Sequence, residues 1–255
     1  MGWATDRRVP RCLRGTVYRG FARHVGADLA EVRLAIEEFP SLGAFFVREL
    51  KPGARPLDPD PLAVLSPVDG TVQTVCTIER GTILQAKGRS YSLAELAGGL
   101  DVGLDLEGGS AWTIYLSPRD YHRIHAPFDA RLTAARWIDG ERHSVAPAVL
   151  ERRRVLDVNE RCVLRLEHPR GTFLLVLVGA LNVGRIRVVG VEPSYATEPV
   201  RPGSSFARGA ELARFEMGST IVLVAPRGAA TPRAELAPGE TVRLGARIGA
   251  FARPS

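Results

Sequence analysis

Three groups in this chain could together activate a hydroxyl. They are the serine of Gly218-Ser219-Thr220, the histidines of Tyr115-Leu-Ser-Pro-Arg-Asp-Tyr-His-Arg-Ile-His125, and the aspartate of Ser66-Pro-Val-Asp69-Gly70. A serine hydroxyl is a poor nucleophile until an imidazole takes its proton, and a carboxylate orients that imidazole and stabilises its charged form. Each group alone has a plainer reading. Gly-Ser is ordinary turn chemistry, and Asp before Gly closes tight turns. His122 and His125 could be surface residues. Together they offer one acid, one imidazole and one hydroxyl in the order Asp69, His125, Ser219, an order that is irrelevant if the fold unites them. The histidine pair has no obvious third ligand and no HExxH pattern, so no metal is expected.

At 255 residues the chain can bury a full core, as one large domain or two small ones. Apolar content of 45% and charged content of 24% are those of a folded soluble protein. The net charge of +6 favours anionic partners: nucleic acid, acidic lipid or a phosphorylated substrate. Lysine occurs only at Lys51 and Lys87, which limits any lysine-borne cofactor to two positions. Cys12, Cys76 and Cys162 are far apart and odd in number, which suits a reducing compartment better than a disulfide framework. No signal-peptide core is expected at the start, and the run from Phe173 to Leu181 is about half of a membrane span.

The elements that must position these groups fall into two regions. Residues 1–26 carry six arginines against Asp6, and Leu13, Val17, Phe21 and Val25 recur every fourth residue. That spacing predicts a basic amphipathic helix able to lie on an anionic bilayer, or one docked on its own domain. A capping box, Asp28 with Glu31, predicts a second helix burying Leu29, Val32, Ile36 and Phe39. A short third helix is expected through Phe45, Phe46 and Leu50, and the proline-rich stretch 51–60 reads as a surface linker. From Leu62 onward short strands dominate, at 62–66, 70–78, 82–87, 111–116, 130–138, 161–166, 172–180, 184–190, 219–225 and 241–250. One short helix capped by Ser92 with Glu95 interrupts them, and Arg227 to Pro238 reads as a loop. The pattern predicts an α+β fold, mainly antiparallel, with a barrel- or sandwich-like domain over 61–255 and helices segregated in 1–60. There is no βαβ alternation, GxGxxG or P-loop to suggest nucleotide binding.

The combination resembles the phosphatidylserine decarboxylase family of pyruvoyl-dependent, self-cleaving enzymes. The likeness runs through Phe45-Phe-Val-Arg-Glu-Leu-Lys-Pro52, Ser66-Pro-Val-Asp-Gly70, Ile83 to Leu93, Tyr115 to His125, Asn182-Val-Gly184 and Phe215-Glu-Met-Gly-Ser-Thr220, covering most of 40–225. Met217 stands where the family usually has Leu, and Arg185 where it has a small residue. The resemblance implies that His125, oriented by Asp69, deprotonates Ser219 for attack on the Gly218 carbonyl. Cleavage between Gly218 and Ser219 would give a β chain, 1–218, and an α chain, 219–255, that stay associated, with a pyruvoyl group at the old Ser219. That group would form a Schiff base with phosphatidylserine and release CO2, giving phosphatidylethanolamine. His122 is the candidate for returning a proton or holding the substrate's carboxylate or phosphate.

The implied setting is the cytoplasmic face of a membrane, bound peripherally, with anionic phospholipid as partner; a homodimer stays open. Another amino acid or phospholipid head group remains an alternative substrate. A different class is also open: Ser66 to Val72 with Val242 to Gly249 is similar to a lipoyl- or biotinyl-type carrier barrel, although neither lysine has the usual modified-lysine context. A pyridoxal phosphate enzyme would need a lysine and a phosphate cup. Nucleic-acid binding lacks an interleaved aromatic and basic stripe.

Overall fold

A computed structural model of the chain describes residues 7–85, 89–150, 152–180, 186–215 and 219–252; the side chains of Gln85 and Arg89 are also outside it. Gly218, Met217, Asn182 to Gly184, Arg185 and Lys87, named above, therefore lie outside the described residues.

Long apolar runs become the middle of a sheet. In chain order the strands are β1 (Ala63–Leu65), β2 (Gly70–Thr77), β3 (Thr82–Gln85), β4 (Arg89–Ser92), β5 (Ser110–Leu116), β6 (Arg123–His125), β7 (Ala130–Ile138) and β8 (Arg161–His168). They continue as β9 (Gly171–Val178), β10 (Ile186–Val188), β11 (Ser204–Phe206), β12 (Glu211–Phe215), β13 (Ser219–Ala225), β14 (Ala230–Pro232), β15 (Thr241–Val242) and β16 (Arg247–Phe251). One eight-stranded sheet runs β11-β7-β8-β9-β13-β5-β2-β15, antiparallel at every step. Every residue of β13 is buried, as a continuous apolar run between two neighbours requires. Smaller sheets, β10-β12-β6 and β1-β16-β14, and the β3-β4 hairpin complete the strands. The fold is α+β with open sheets, and among the described residues no barrel closes: β11 and β15 are the two ends of the large sheet.

The N-terminal region differs from its sequence pattern. Helix α1 spans Arg11–Val25, but it buries Gly15, Tyr18 and Ala22, leaving Leu13 and Val17 exposed. The aromatic side chains decide the rotation, because Tyr18 stacks on Phe45 at 5.5 Å and donates to the Phe39 carbonyl at 3.1 Å. The second helix does not form beyond a 3-10 turn, Ile36–Glu38. Its backbone groups are used elsewhere: Arg33 N–H donates to Glu49 O and Lys51 N–H to Glu31 O, which lays 31–33 alongside 49–51. Asp28 closes a local turn onto Ala30 N–H instead of capping. Helix α2 (Leu42–Phe46) starts at Ser41, whose hydroxyl accepts from Ala44 N–H. Tyr18, Ala22, Val32, Phe39 and Phe45 form a cluster separate from the main core. Two further short helices, α3 (Leu93–Ala97, capped by Ser92) and α4 (Pro147–Leu150), lie in loops. Among the described residues no helix is long and apolar enough to cross a membrane.

Candidate active site

Ser219 opens the central strand. It pairs with Leu116 of β5, while Thr220 pairs with Tyr115, which faces Thr71 of β2 on its other side. Asp69, just before β2, therefore lies at the same end of the sheet as Ser219, about two strand spacings or ~10 Å across. The Ser219 and Thr220 hydroxyls are buried and, among the described residues, have no hydrogen-bond partner. A buried hydroxyl left unpaired is costly, which marks this strand end as unusual. Gly70 permits the approach, since a Cβ there would sit 2.5 Å from the Tyr115 carbonyl oxygen.

The histidines stand on a tight turn and the strand that follows it. Asp120 accepts from the Ser117 amide and hydroxyl, both at 2.7 Å, closing the turn. His122 Nδ1 donates to the Asp120 carbonyl at 2.8 Å, which leaves Nε2 as the lone-pair nitrogen. That Nε2 is buried and unpartnered, with the ring 4.1 Å from Phe46. Burial pushes its pKa down to about 3, so the imidazole is neutral near pH 7. His125, at the end of β6, donates from Nδ1 to the Gly209 carbonyl at 2.8 Å. Its Nε2 accepts from the Tyr121 hydroxyl at 3.1 Å. Burial lowers the His125 pKa, opposed by the Gly209 carbonyl and by the charges of Glu211 and Asp69. Its amide reaches the Pro67 carbonyl at 2.9 Å, which ties β6 to the Asp69 turn.

Asp69 is held by other groups. Arg55 donates to it through Nε at 2.9 Å and Nη2 at 2.5 Å, and the Leu244 amide adds a third bond at 2.8 Å. Arg55 also pairs with Glu31 at 2.9 Å. Burial works against its charge, but Asp69 and Glu31 raise its pKa above the ordinary value. The structure thus gathers Asp69 and His125 into one region and puts Ser219 at the same sheet end. Among the described residues no hydrogen bond joins Asp69 to His125, or His125 to Ser219.

Several site residues were invisible as such in the sequence. Arg55 sits in the stretch read as a linker, and Tyr121 precedes His125 by four. Residues 46–49 grip the histidine turn in succession. Phe46 packs on His122, the Val47 carbonyl accepts from Arg123 Nε at 2.9 Å, Arg48 Nη2 donates to the Arg119 and Asp120 carbonyls at 2.9 and 3.3 Å, and Glu49 pairs with Arg123 at 3.1 Å. The Phe-Phe-Val-Arg-Glu run carried that information only as part of a likeness. Among the described residues no three His, Cys, Asp or Glu side chains group as a metal site.

An unpaired serine at the head of a buried strand, with a histidine turn and a clamped aspartate at the same end, defines a site suited to chemistry on the chain's own backbone. The profile of the phosphatidylserine decarboxylase family matches residues 42–250. The chain is 41% identical over 256 residues to a phosphatidylserine decarboxylase proenzyme of Myxococcus xanthus, covering 98% of this chain and 91% of that protein. It is 38% identical over 264 residues to the proenzyme of an Anaeromyxobacter species, covering 99% and 93%. The proenzyme of Alkalilimnicola ehrlichii is 41% identical over 236 residues, covering 86% and 80%. The chain belongs to the phosphatidylserine decarboxylase family.

Proposed function

We propose that this chain is a proenzyme that cuts itself between Gly218 and Ser219 and then decarboxylates phosphatidylserine to phosphatidylethanolamine. The observation that carries it is the buried, unpartnered hydroxyl of Ser219 at the head of β13, in a chain of this family. His125 takes the Ser219 proton, and the oxygen attacks the Gly218 carbonyl carbon, converting the peptide to an ester. Loss of the Ser219 α-proton then expels the Gly218 carboxylate and leaves dehydroalanine. Water hydrolyses this to a pyruvoyl group and ammonia. The Gly209 carbonyl orients the His125 ring, the charge of Asp69 stabilises its protonated form, and Nε2 must exchange Tyr121 for Ser219.

The buried Ser219 position fits a small group made from that residue, because among the described residues it already carries an orphaned polar atom. The pyruvoyl group supplies an electron sink for the departing CO2. His122 serves this step: neutral when the site is empty, it gains affinity for a proton when the anionic substrate arrives, and delivers that proton to the α-carbon. Helix α1 offers Leu13 and Val17 with Arg11 and Arg23 exposed, which supports peripheral contact with an anionic membrane, and the cytoplasmic face is proposed for that contact.

A second assignment exchanges the histidines, and one observation favours it: His122 Nε2 is unpartnered whereas both His125 nitrogens are engaged. Denaturing gels and intact masses of purified variants decide. We expect the native sequence to give chains 1–218 and 219–255, the smaller with a blocked N-terminus. Ser219→Ala and His125→Ala should stay whole, and His122→Ala should be cut yet release no CO2. A whole His122→Ala chain beside a cut His125→Ala chain selects the exchanged roles. A whole native chain refutes the function. CO2 release from phosphatidylserine but not from free serine separates the lipid from a soluble amino acid.

A further inference from the structure

The outer face of the small sheet carries three arginines in direct register: Arg187 of β10 opposite Arg214 of β12, and Arg214 opposite Arg123 of β6. Neighbouring strands are about 4.8 Å apart, and like charges placed directly opposite destabilise a sheet unless something neutralises them. Arg123 is neutralised, by Glu211 at 2.6 Å and Glu49 at 3.1 Å. Among the described residues Arg187 has only Glu192, 3.9 Å away and 99% exposed, a pairing worth little in water. Arg214 has no acid and no hydrogen bond among the described residues, and its Nε is buried without a partner. Two neighbouring guanidinium groups are therefore left unmatched.

Their surroundings narrow the ligand. Arg187 and Arg214 line a hollow of about 640 Å3, whose other wall is the apolar turn Val188 to Val191. Glu211 lines both this hollow and the one that holds His125, Tyr121 and Arg123, so the two adjoin at that residue. Arg214 also stands beside the histidine turn, since the next residue, Phe215, donates its amide to the His122 carbonyl at 3.0 Å. Two guanidinium forks about one strand spacing apart suit the oxygens of a phosphate. An apolar wall beside them suits the glycerol ester end of the same molecule.

We infer that Arg187 and Arg214 form the phosphodiester-binding pair of the substrate site, holding the lipid phosphate while the serine head group reaches toward His125 and Ser219. This rests on the lipid substrate proposed above. It adds what distinguishes a phospholipid from free serine at this site.

The test uses the full chain with dispersed short-chain phosphatidylserine. Arg214→Gln and Arg187→Gln should each raise KM roughly tenfold or more, as loss of a charge-assisted bond to an anion would, while kcat stays within about threefold. Arg214→Lys, which keeps the charge but not the fork, should recover part of the loss. Cleavage into two chains should proceed to completion in all three variants, and this separates the inference from the wider function: a chain that never cuts refutes the function itself, whereas a cut chain with unchanged KM overturns only the arginine pair. As a readout apart from turnover, the uncut Ser219→Ala chain should bind glycerophosphoserine by calorimetry, and the same chain carrying Arg214→Gln should not. Inorganic phosphate binding that vanishes in Arg214→Gln while the phosphatidylserine KM is unmoved would make this a general anion site and overturn the assignment. Equal losses in Arg214→Gln and Arg214→Lys, with a lowered Tm, would reduce Arg214 to a structural role.

Discussion

His122 makes acid stability measurable at one residue. Its ring is completely buried, and burial pushes its pKa to about 3 from the ordinary 6.5. The native state therefore binds fewer protons than the unfolded chain between those values, so this residue's contribution is intact above pH 6.5 and is lost as pH falls toward 3. Each pH unit in that window costs about 1.4 kcal/mol, so at pH 4.5 the loss is about 2.7 kcal/mol. Full burial means that water screening takes little away. The perturbation is His122→Gln, which cannot titrate but can still donate toward the Asp120 carbonyl. Both chains should carry Ser219→Ala so that a single polypeptide unfolds. Thermal melting at pH 7.5 and 4.5 then compares each chain with itself, which cancels the shared carboxylate titrations and the fixed cost of the substitution. For a chain of this size the parent should lose about 5–10 °C more than the Gln variant on acidification. Equal losses would refute the reasoning, as would an NMR titration showing His122 protonated above pH 5 in the folded chain.

Two other substitutions probe the positioning of the site. Arg55→Met removes the bidentate partner of a carboxylate that is 6% exposed; it should destabilise the precursor by about 3–5 kcal/mol in denaturant titrations, and an unchanged midpoint would show that the Leu244 amide suffices. Gly70→Ala drives a Cβ to 2.5 Å from the Tyr115 carbonyl oxygen, and the β2–β5 pairing should weaken by about 1–3 kcal/mol, seen as a lower Tm with slowed precursor cleavage.

The sequence disclosed the middle of this molecule better than its edges. Val176 to Val178 and Ile221 to Val224 are strands wherever they meet two neighbours, and an unbroken apolar run announces that. The Asp69 turn, the histidine turn and Ser219 stood out in the sequence only in combination, since each alone has a plainer use. The predicted helix over 28–39 failed because its backbone pairs with 49–51, Arg33 donating to Glu49 and Glu31 accepting from Lys51, a partner no local window contains. The rotation of α1 escaped for a similar reason: Leu13 and Val17 match the helical period, but Tyr18 had a buried ring to stack on and they did not. β6 and β12 are too short to show a period of two, although they carry His125 and Arg214. Arg55 looked like part of a surface linker, and only the fold shows the buried carboxylate that requires its cation.

The placement of β13 sets the later life of the molecule. This strand lies between β9 and β5, β15 is paired to β2 and β16 to β1, so the residues after Ser219 are woven through those before it. Under the cleavage proposed above, folding up to the cut is a first-order event within one polypeptide. Afterwards the same architecture is a heterodimer, and reaching it from separated chains is second order and falls with dilution. The tether that kept β13 at a high effective concentration beside its partners is gone. The mature form is then preserved by the barrier to pulling a strand out of the centre of a sheet, a matter of rate more than of equilibrium. Denatured precursor should refold in dilute solution, and denatured mature protein should not. On the proposed function, each copy has one opportunity to fold, before it becomes two.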